Sequence, residues 1–136
     1  MRRTALALVV LLSAAGALLL ITHHTARQDV LVGGALIVVG IPLLIVSRAQ
    51  LGTAFSVGPK ATTLVTGGIY SKIPHPMFFF LDVALLGLVI AIRQRWLVAA
   101  WLALVAVHAW AANREATVLT RAFGDSYREY RARTWW

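Results

Sequence analysis

Between Thr66 and Phe78 the chain reads Thr66-Gly67-Gly68-Ile69-Tyr70-Ser71-Lys72-Ile73-Pro74-His75-Pro76-Met77-Phe78. This polar, glycine-bearing stretch with a His-Pro pair runs directly into an apolar segment. Proline is favoured at the first position of a helix, so Pro76 is expected to start one with His75 at its cap. The free amides at such an end attract anions such as carboxylates, and His75 could add a hydrogen bond or a positive charge. Alternatively, Pro-His-Pro is only a rigid turn. A second polar cluster, Glu115 to Tyr130, follows the last apolar run. Glu115 facing His75 would be an acceptor for ribose hydroxyls or an amino group; otherwise it is an interfacial charge paired with Arg114 or Lys72. Tyr70, Tyr127 and Tyr130 could supply hydroxyls and flat surfaces, or serve as anchors at headgroup level.

Asp82 lies inside an apolar run, about two helical turns beyond His75 and so on a similar face. An acid at that depth is costly and is a functional candidate by default, or else a neutral carboxyl packed and hydrogen-bonded across a bundle. Asp82 is therefore a candidate catalytic group. His108 and Trp101 are read as packing residues. No metal site is expected: the chain has no cysteine, and the adjacent His23 and His24 lack a supporting carboxylate.

The elements that must position these groups are apolar. The chain has 136 residues, 60% of them hydrophobic, and a mean hydropathy of +0.77. An all-α integral membrane bundle forming a single domain over 1–136 is expected. Four apolar runs stand out: Thr4–Thr22, Val30–Ser47, Met77–Ile92 and Trp96–Ala112. The last two are short for spans of about 20 residues. Arg93-Gln94-Arg95 makes a tight connection between them, which predicts an antiparallel hairpin over 77–112 with both polar clusters at one end. The first run continues through Leu18–Ile21 without a polar break, so a retained transmembrane helix is expected rather than a cleaved signal peptide. Runs one and two then form an N-terminal pair of spans within 1–47. In the second run, Gly33-Gly34, Gly40 and Pro42 point to close helix packing and a kink.

The formal charge of +8 would suggest nucleic acid for a soluble protein. Here most basic residues lie outside the apolar runs, where anionic headgroups attract them, so membrane lipids and not nucleic acid are the expected partners. With the N-terminus cytoplasmic, the inner segments carry Arg2, Arg3, Arg48, Lys60, Lys72 and five C-terminal arginines; the outer loops carry only Arg27, Arg93 and Arg95. That asymmetry predicts a multi-pass protein of a cell inner membrane with four spans and both termini inside.

The connection over 48–76 is long and carries apolar anchors at Leu51, Phe55, Leu64, Val65 and Ile69. Such loops are usually folded onto something and often functional. In the C-terminal segment, 113–136, Asn113–Phe123 reads as an amphipathic continuation of the fourth run, with Glu115, Leu119 and Ala122 on one face. Gly124 is expected to end that helix. Ser126 and Glu129 have capping-box spacing for another short turn that puts Tyr127 and Tyr130 on one side.

Together these pieces resemble the isoprenylcysteine carboxyl methyltransferase and phospholipid methyltransferase superfamily. Its pattern is Leu-Gly, then Leu-Val-x-x-Gly-x-Tyr, then Arg-His-Pro-x-Tyr entering a hairpin, followed by a Glu-Glu pair, a leucine and Phe-Gly-x-x-Tyr-x-x-Tyr. The matches are Leu51-Gly52, Leu64-Val65, Gly68, Tyr70, His75-Pro76 and Gly87, then Glu115, Leu119, Phe123-Gly124, Tyr127 and Tyr130. They cover about residues 48–133. The resemblance implies S-adenosyl-L-methionine bound by Gly68, Tyr70, His75, Pro76, Glu115, Leu119, Tyr127 and Tyr130 at the cytoplasmic end. It also implies a lipid or other lipophilic acceptor entering laterally, with a carboxylate, thiol or amine as nucleophile. An amine would need to be deprotonated first, with Glu115 or Asp82 able to help; no dedicated base stands out in the sequence, which favours an anionic nucleophile. Pro74 stands where the family usually has arginine, Phe78 where it often has tyrosine, and Ala116 where a second glutamate is common. An inactive scaffold of the same fold is therefore the alternative, and a nicotinamide-dependent membrane reductase a more distant one.

Overall fold

The computed structural model describes residues 26–52 and 63–135. The first apolar run, His23, His24, Phe55 and Lys60 lie outside the described residues. Three helices and a short turn make up the described fold: α1 (Ala26–Leu51), a 3-10 turn (Gly68–Ser71), α2 (Pro76–Ile92) and α3 (Arg95–Arg133). No strand occurs among the described residues.

The ends of these helices follow from local chemistry. Asp29 sits in the first turn of α1 and Arg48 in the last, each favourable against the helix dipole. Gly52 takes a positive φ of 52°, the left-handed conformation in which helices commonly terminate. Pro76 opens α2 at its first position with His75 as cap, as expected. Arg93 is left-handed, with φ 62°, and its amide bonds back to Val89. Gln94, extended, caps α3. The hairpin turn is thus as tight as the sequence predicts.

The apolar helices pack side by side, with α1 antiparallel to α2 and α2 antiparallel to α3. The α1–α2 contact is close because small residues meet along it. A Cβ built on Gly33 would overlap the Gly87 carbonyl oxygen, and one on Gly87 would lie 2.9 Å from the Leu36 Cβ. Near the other end, a Cβ on Gly40 would come within 2.9 Å of the Ala84 amide nitrogen. Lipid tails are as apolar as leucine, so helix association in a bilayer depends on this kind of backbone approach. The Asp29 carboxylate and Arg93 guanidinium, 3.1 Å apart, pin the start of α1 to the end of α2.

The outward faces remain apolar: Val30, Leu31, Val38, Val39 and Ile45 of α1 are all exposed, Val38 by 71%. A face of that kind suits hydrocarbon better than water. α1 and α3 are each long and apolar enough to cross a membrane, whereas α2 is a shorter apolar helix of 17 residues. It spans about 25 Å, somewhat less than the hydrocarbon core. Trp96 and Trp110, near the two ends of the apolar part of α3, are both exposed, as interfacial aromatics are.

Replacing Gly87 with alanine should force α1 and α2 apart and destabilise the protein by about 1–3 kcal/mol, read as a lower thermal unfolding midpoint in detergent. Gly34→Ala is the control, since a Cβ there meets nothing within 4 Å; its midpoint should stay the same or rise.

Candidate functional site

The polar residues gather at the end of the bundle where α1 finishes, α2 begins and α3 emerges from its apolar part. Gly68 permits the chain to turn there. Its φ is +59°, and a Cβ would lie 2.6 Å from Gln50 Cδ, so a side chain would be strained and crowded at once. The Ile69 amide donates to Gln50 Oε1 at 2.9 Å, fastening the loop to the last turn of α1. Next to it, the Tyr70 hydroxyl points to the Ser47 carbonyl at 3.4 Å.

His75 and Glu115 meet across the hairpin, Nδ1 to Oε2, at 3.2 Å. Glu115 therefore pairs with His75 and not with Arg114, which lies over the Trp110 ring at 5.5 Å. The His75 side chain is 10% exposed and that of Glu115 41%, so the imidazole is held inside while the carboxylate reaches the surface. Pro76 is fully buried beneath them.

Beyond Glu115, α3 continues unbroken to Gly124. There φ 51° and ψ −120° interrupt the helix, a conformation essentially confined to glycine. The break lets the last turns fold back. Tyr127 and Tyr130 pack with Ala116 in a buried cluster bordered by Leu64, Leu119 and Phe123. The Tyr130 hydroxyl donates to the Tyr70 carbonyl at 2.7 Å, and the Trp135 amide to the Lys72 carbonyl at 2.9 Å. At the start of the folded-back piece the side-chain pair is Asp125 with Arg128, at 2.9 Å, and not the Ser126–Glu129 capping box that the spacing suggests.

Thus the structure brings Gly68, Tyr70, His75, Pro76, Glu115, Leu119, Tyr127 and Tyr130 to one end, but in two kinds of role. His75 and Glu115 form the ion pair, with the carboxylate the more exposed partner. The tyrosines and Leu119 form the packed floor, with the hydroxyls of Tyr70 and Tyr130 directed at backbone carbonyls. Burial, reinforced by the nearby Glu115 charge, pushes the Tyr70 hydroxyl up to about 12. Burial also raises Tyr130, helped by Tyr127. Both therefore remain neutral donors well above physiological pH.

Asp82 stands apart, seven positions further along α2 from His75. Its Oδ1 lies 2.7 Å from His108 Nδ1, and its backbone carbonyl accepts from Trp101 Nε1 at 3.0 Å. His108 and Trp101, read from the sequence as packing residues, are thus the polar partners of Asp82. Their signal was available: His108 precedes Glu115 by the same seven positions that separate His75 from Asp82. No group of three metal-ligating side chains occurs among the described residues.

A sequence model of phospholipid methyltransferases matches residues 28–126, which takes in α1, the loop, the hairpin and Gly124. The chain belongs to the phospholipid methyltransferase family. Members of this family are integral-membrane methyltransferases, in keeping with the lipid-compatible outer faces of α1 and α3. No curated protein and no solved structure matches the chain. The match spans both halves of the His75–Glu115 pair. Of the departures seen in the sequence, Ala116 now has a structural counterpart: it is buried against Tyr127 and Tyr130, where a glutamate would need room and a partner.

Two outcomes test this geometry. Gly124→Ala should cost about 1–3 kcal/mol and expose the segment after residue 124 to proteases. Because the folded state holds Tyr70 protonated above its ordinary value of 10.0, it binds more protons than the unfolded chain between about pH 10 and 12, and stability must fall as pH rises through that window. The contribution is fully present below pH 10. Thermal unfolding across pH 9 to 12 should show the loss, with a shallower slope in Tyr70→Phe.

Proposed function

We propose that this phospholipid methyltransferase family member is a multi-pass enzyme that transfers the methyl group of S-adenosyl-L-methionine to a lipid or other lipophilic acceptor. The observation that carries this is the His75–Glu115 pair, 3.2 Å apart, at the open end of an otherwise apolar bundle. The donor set suits that cofactor. Glu115 Oε2 is engaged by His75, leaving Oε1 for ribose hydroxyls or an ammonium group. At the start of α2, Pro76 carries no N–H and the Phe79 amide donates to the His75 carbonyl at 3.2 Å; the Met77 and Phe78 amides, which have no partner within the helix, suit a carboxylate. The lysine and arginine distribution supports placing this end and both termini on the cytoplasmic side.

When bound, the cofactor supplies an electrophilic methyl group on a sulfonium. His75 holds the Glu115 carboxylate in one orientation. The Tyr127–Tyr130 floor with Leu64, Leu119 and Phe123 keeps water from the underside of the site. In-line displacement at carbon needs alignment above all, and a dry site favours a transition state in which charge disperses. α2 touches α3 much more sparsely than it touches α1, so the seam between α2 and α3 is the natural lateral path for an acceptor dissolved in the bilayer.

Calorimetry of S-adenosylhomocysteine with the purified protein in detergent tests this. Wild type should bind. Glu115→Ala should weaken binding about tenfold or more, the scale of a lost hydrogen bond to a charged group. A folded wild-type protein that does not bind would refute the enzyme and favour the scaffold alternative.

A further inference from the structure

The α2–α3 seam carries two acid–histidine pairs, and the His75–Glu115 site uses only one of them. Seven positions along α2 from His75 comes Asp82, and seven positions back along α3 from Glu115 comes His108. Seven residues are almost two full turns, so the second pair lies on the same stripe about 10 Å deeper. Its side chains are nearly enclosed, 13% exposed for His108 and 16% for Asp82.

Several features go beyond what a structural pin requires. The Asp82 carboxylate reaches the imidazole through Nδ1, while Trp101 bonds only the Asp82 backbone carbonyl. A carboxylate accepting from Nδ1–H selects the tautomer whose lone pair is on Nε2. Phe78 stacks on the His108 ring, with centroids 5.0 Å apart and planes 18° apart, which fixes the ring plane. His108 Nε2 has no protein partner among the described residues. On the α1 side of α2, the neighbours of Ala84 and Gly87 are glycine and apolar side chains, so α1 brings no competing charge to this level.

We propose that His108, oriented by Asp82, is the proton acceptor for the methyl transfer, and hence that the acceptor is a nucleophile bearing a proton, an amine or thiol and not a carboxylate. This rests on the methyltransferase reading above. The acceptor's lone pair forms the new bond to the methyl carbon, and the broken carbon–sulfur bond leaves its electron pair on sulfur as a neutral thioether. The proton released from the acceptor passes to His108 Nε2, and the Asp82 carboxylate offsets the charge of the resulting imidazolium. Loss of that proton to water restores the base. Asp82 is a positioning residue in this scheme, and His108 touches the acceptor.

The test uses the full chain in detergent. Nitrogen NMR of the histidine side chains, with no cofactor added, should show His108 neutral with the proton on Nδ1, and Asp82→Asn should disturb that tautomer. His108 found with Nε2 protonated at neutral pH overturns the proposal. Transfer of labelled methyl from S-adenosyl-L-methionine is then measured on a lipid amine and on a lipid carboxylate of matched chain length. His108→Gln should slow transfer to the amine by about 100-fold or more while S-adenosylhomocysteine binding persists, and added imidazole should partly restore transfer in His108→Gly. Wild-type rates in His108→Gln, or methylation confined to the carboxylate lipid, refute the base. Absence of S-adenosylhomocysteine binding by wild type would instead refute the methyltransferase reading on which it rests.

Discussion

The register of the α2–α3 hairpin is the constraint on which the rest depends. Arg93, left-handed, and Gln94, extended, join the helices in the shortest practical way, and Asp29 holds Arg93 from the neighbouring helix. That register places His75 against Glu115 and Asp82 against His108 at once. A slip of one residue on either helix turns its side chains by about 100° and separates both pairs together. The pairing at both levels of the α2–α3 contact is therefore set by a turn at the opposite end of the hairpin.

The two helix–helix contacts in the bundle differ in kind. Between α1 and α2, glycine and alanine let the backbones touch, and dispersion holds a contact that has no hydrophobic driving force in lipid. Between α2 and α3 the approach is sparser and is fastened by discrete polar links: Trp101 to the Asp82 carbonyl, His108 to the Asp82 carboxylate and His75 to Glu115. A tight pair gives a rigid platform. The folded-back end of α3 packs against the loop, held by the Tyr130–Tyr70 bond and the buried tyrosine cluster.

Much of the local structure was legible in the sequence because it rests on local chemistry. Pro76 at the first position of α2, the short turn at Arg93, and the interruption at Gly124 each follow from backbone preferences of one or two residues. The meeting of His75 and Glu115 was legible too, since a tight hairpin returns the chain to its starting end. The expected four spans are another matter: the described residues contain two helices long enough to cross and a shorter apolar third, while the first run lies outside them.

What the sequence by itself determined is which stretches are helical and apolar, where they turn and that the polar clusters share an end. Periodicity and terminating residues decide those properties within a single element. Only the tertiary structure decided how each helix is rotated against its neighbour. That rotation makes His108 and Trp101 the partners of Asp82, sends Tyr70 and Tyr130 to backbone carbonyls, and buries Ala116 in the floor. A helix's pattern marks a polar stripe, but the partner of that stripe depends on the phase of another helix, and that phase is set by glycine contacts and a turn far along the chain.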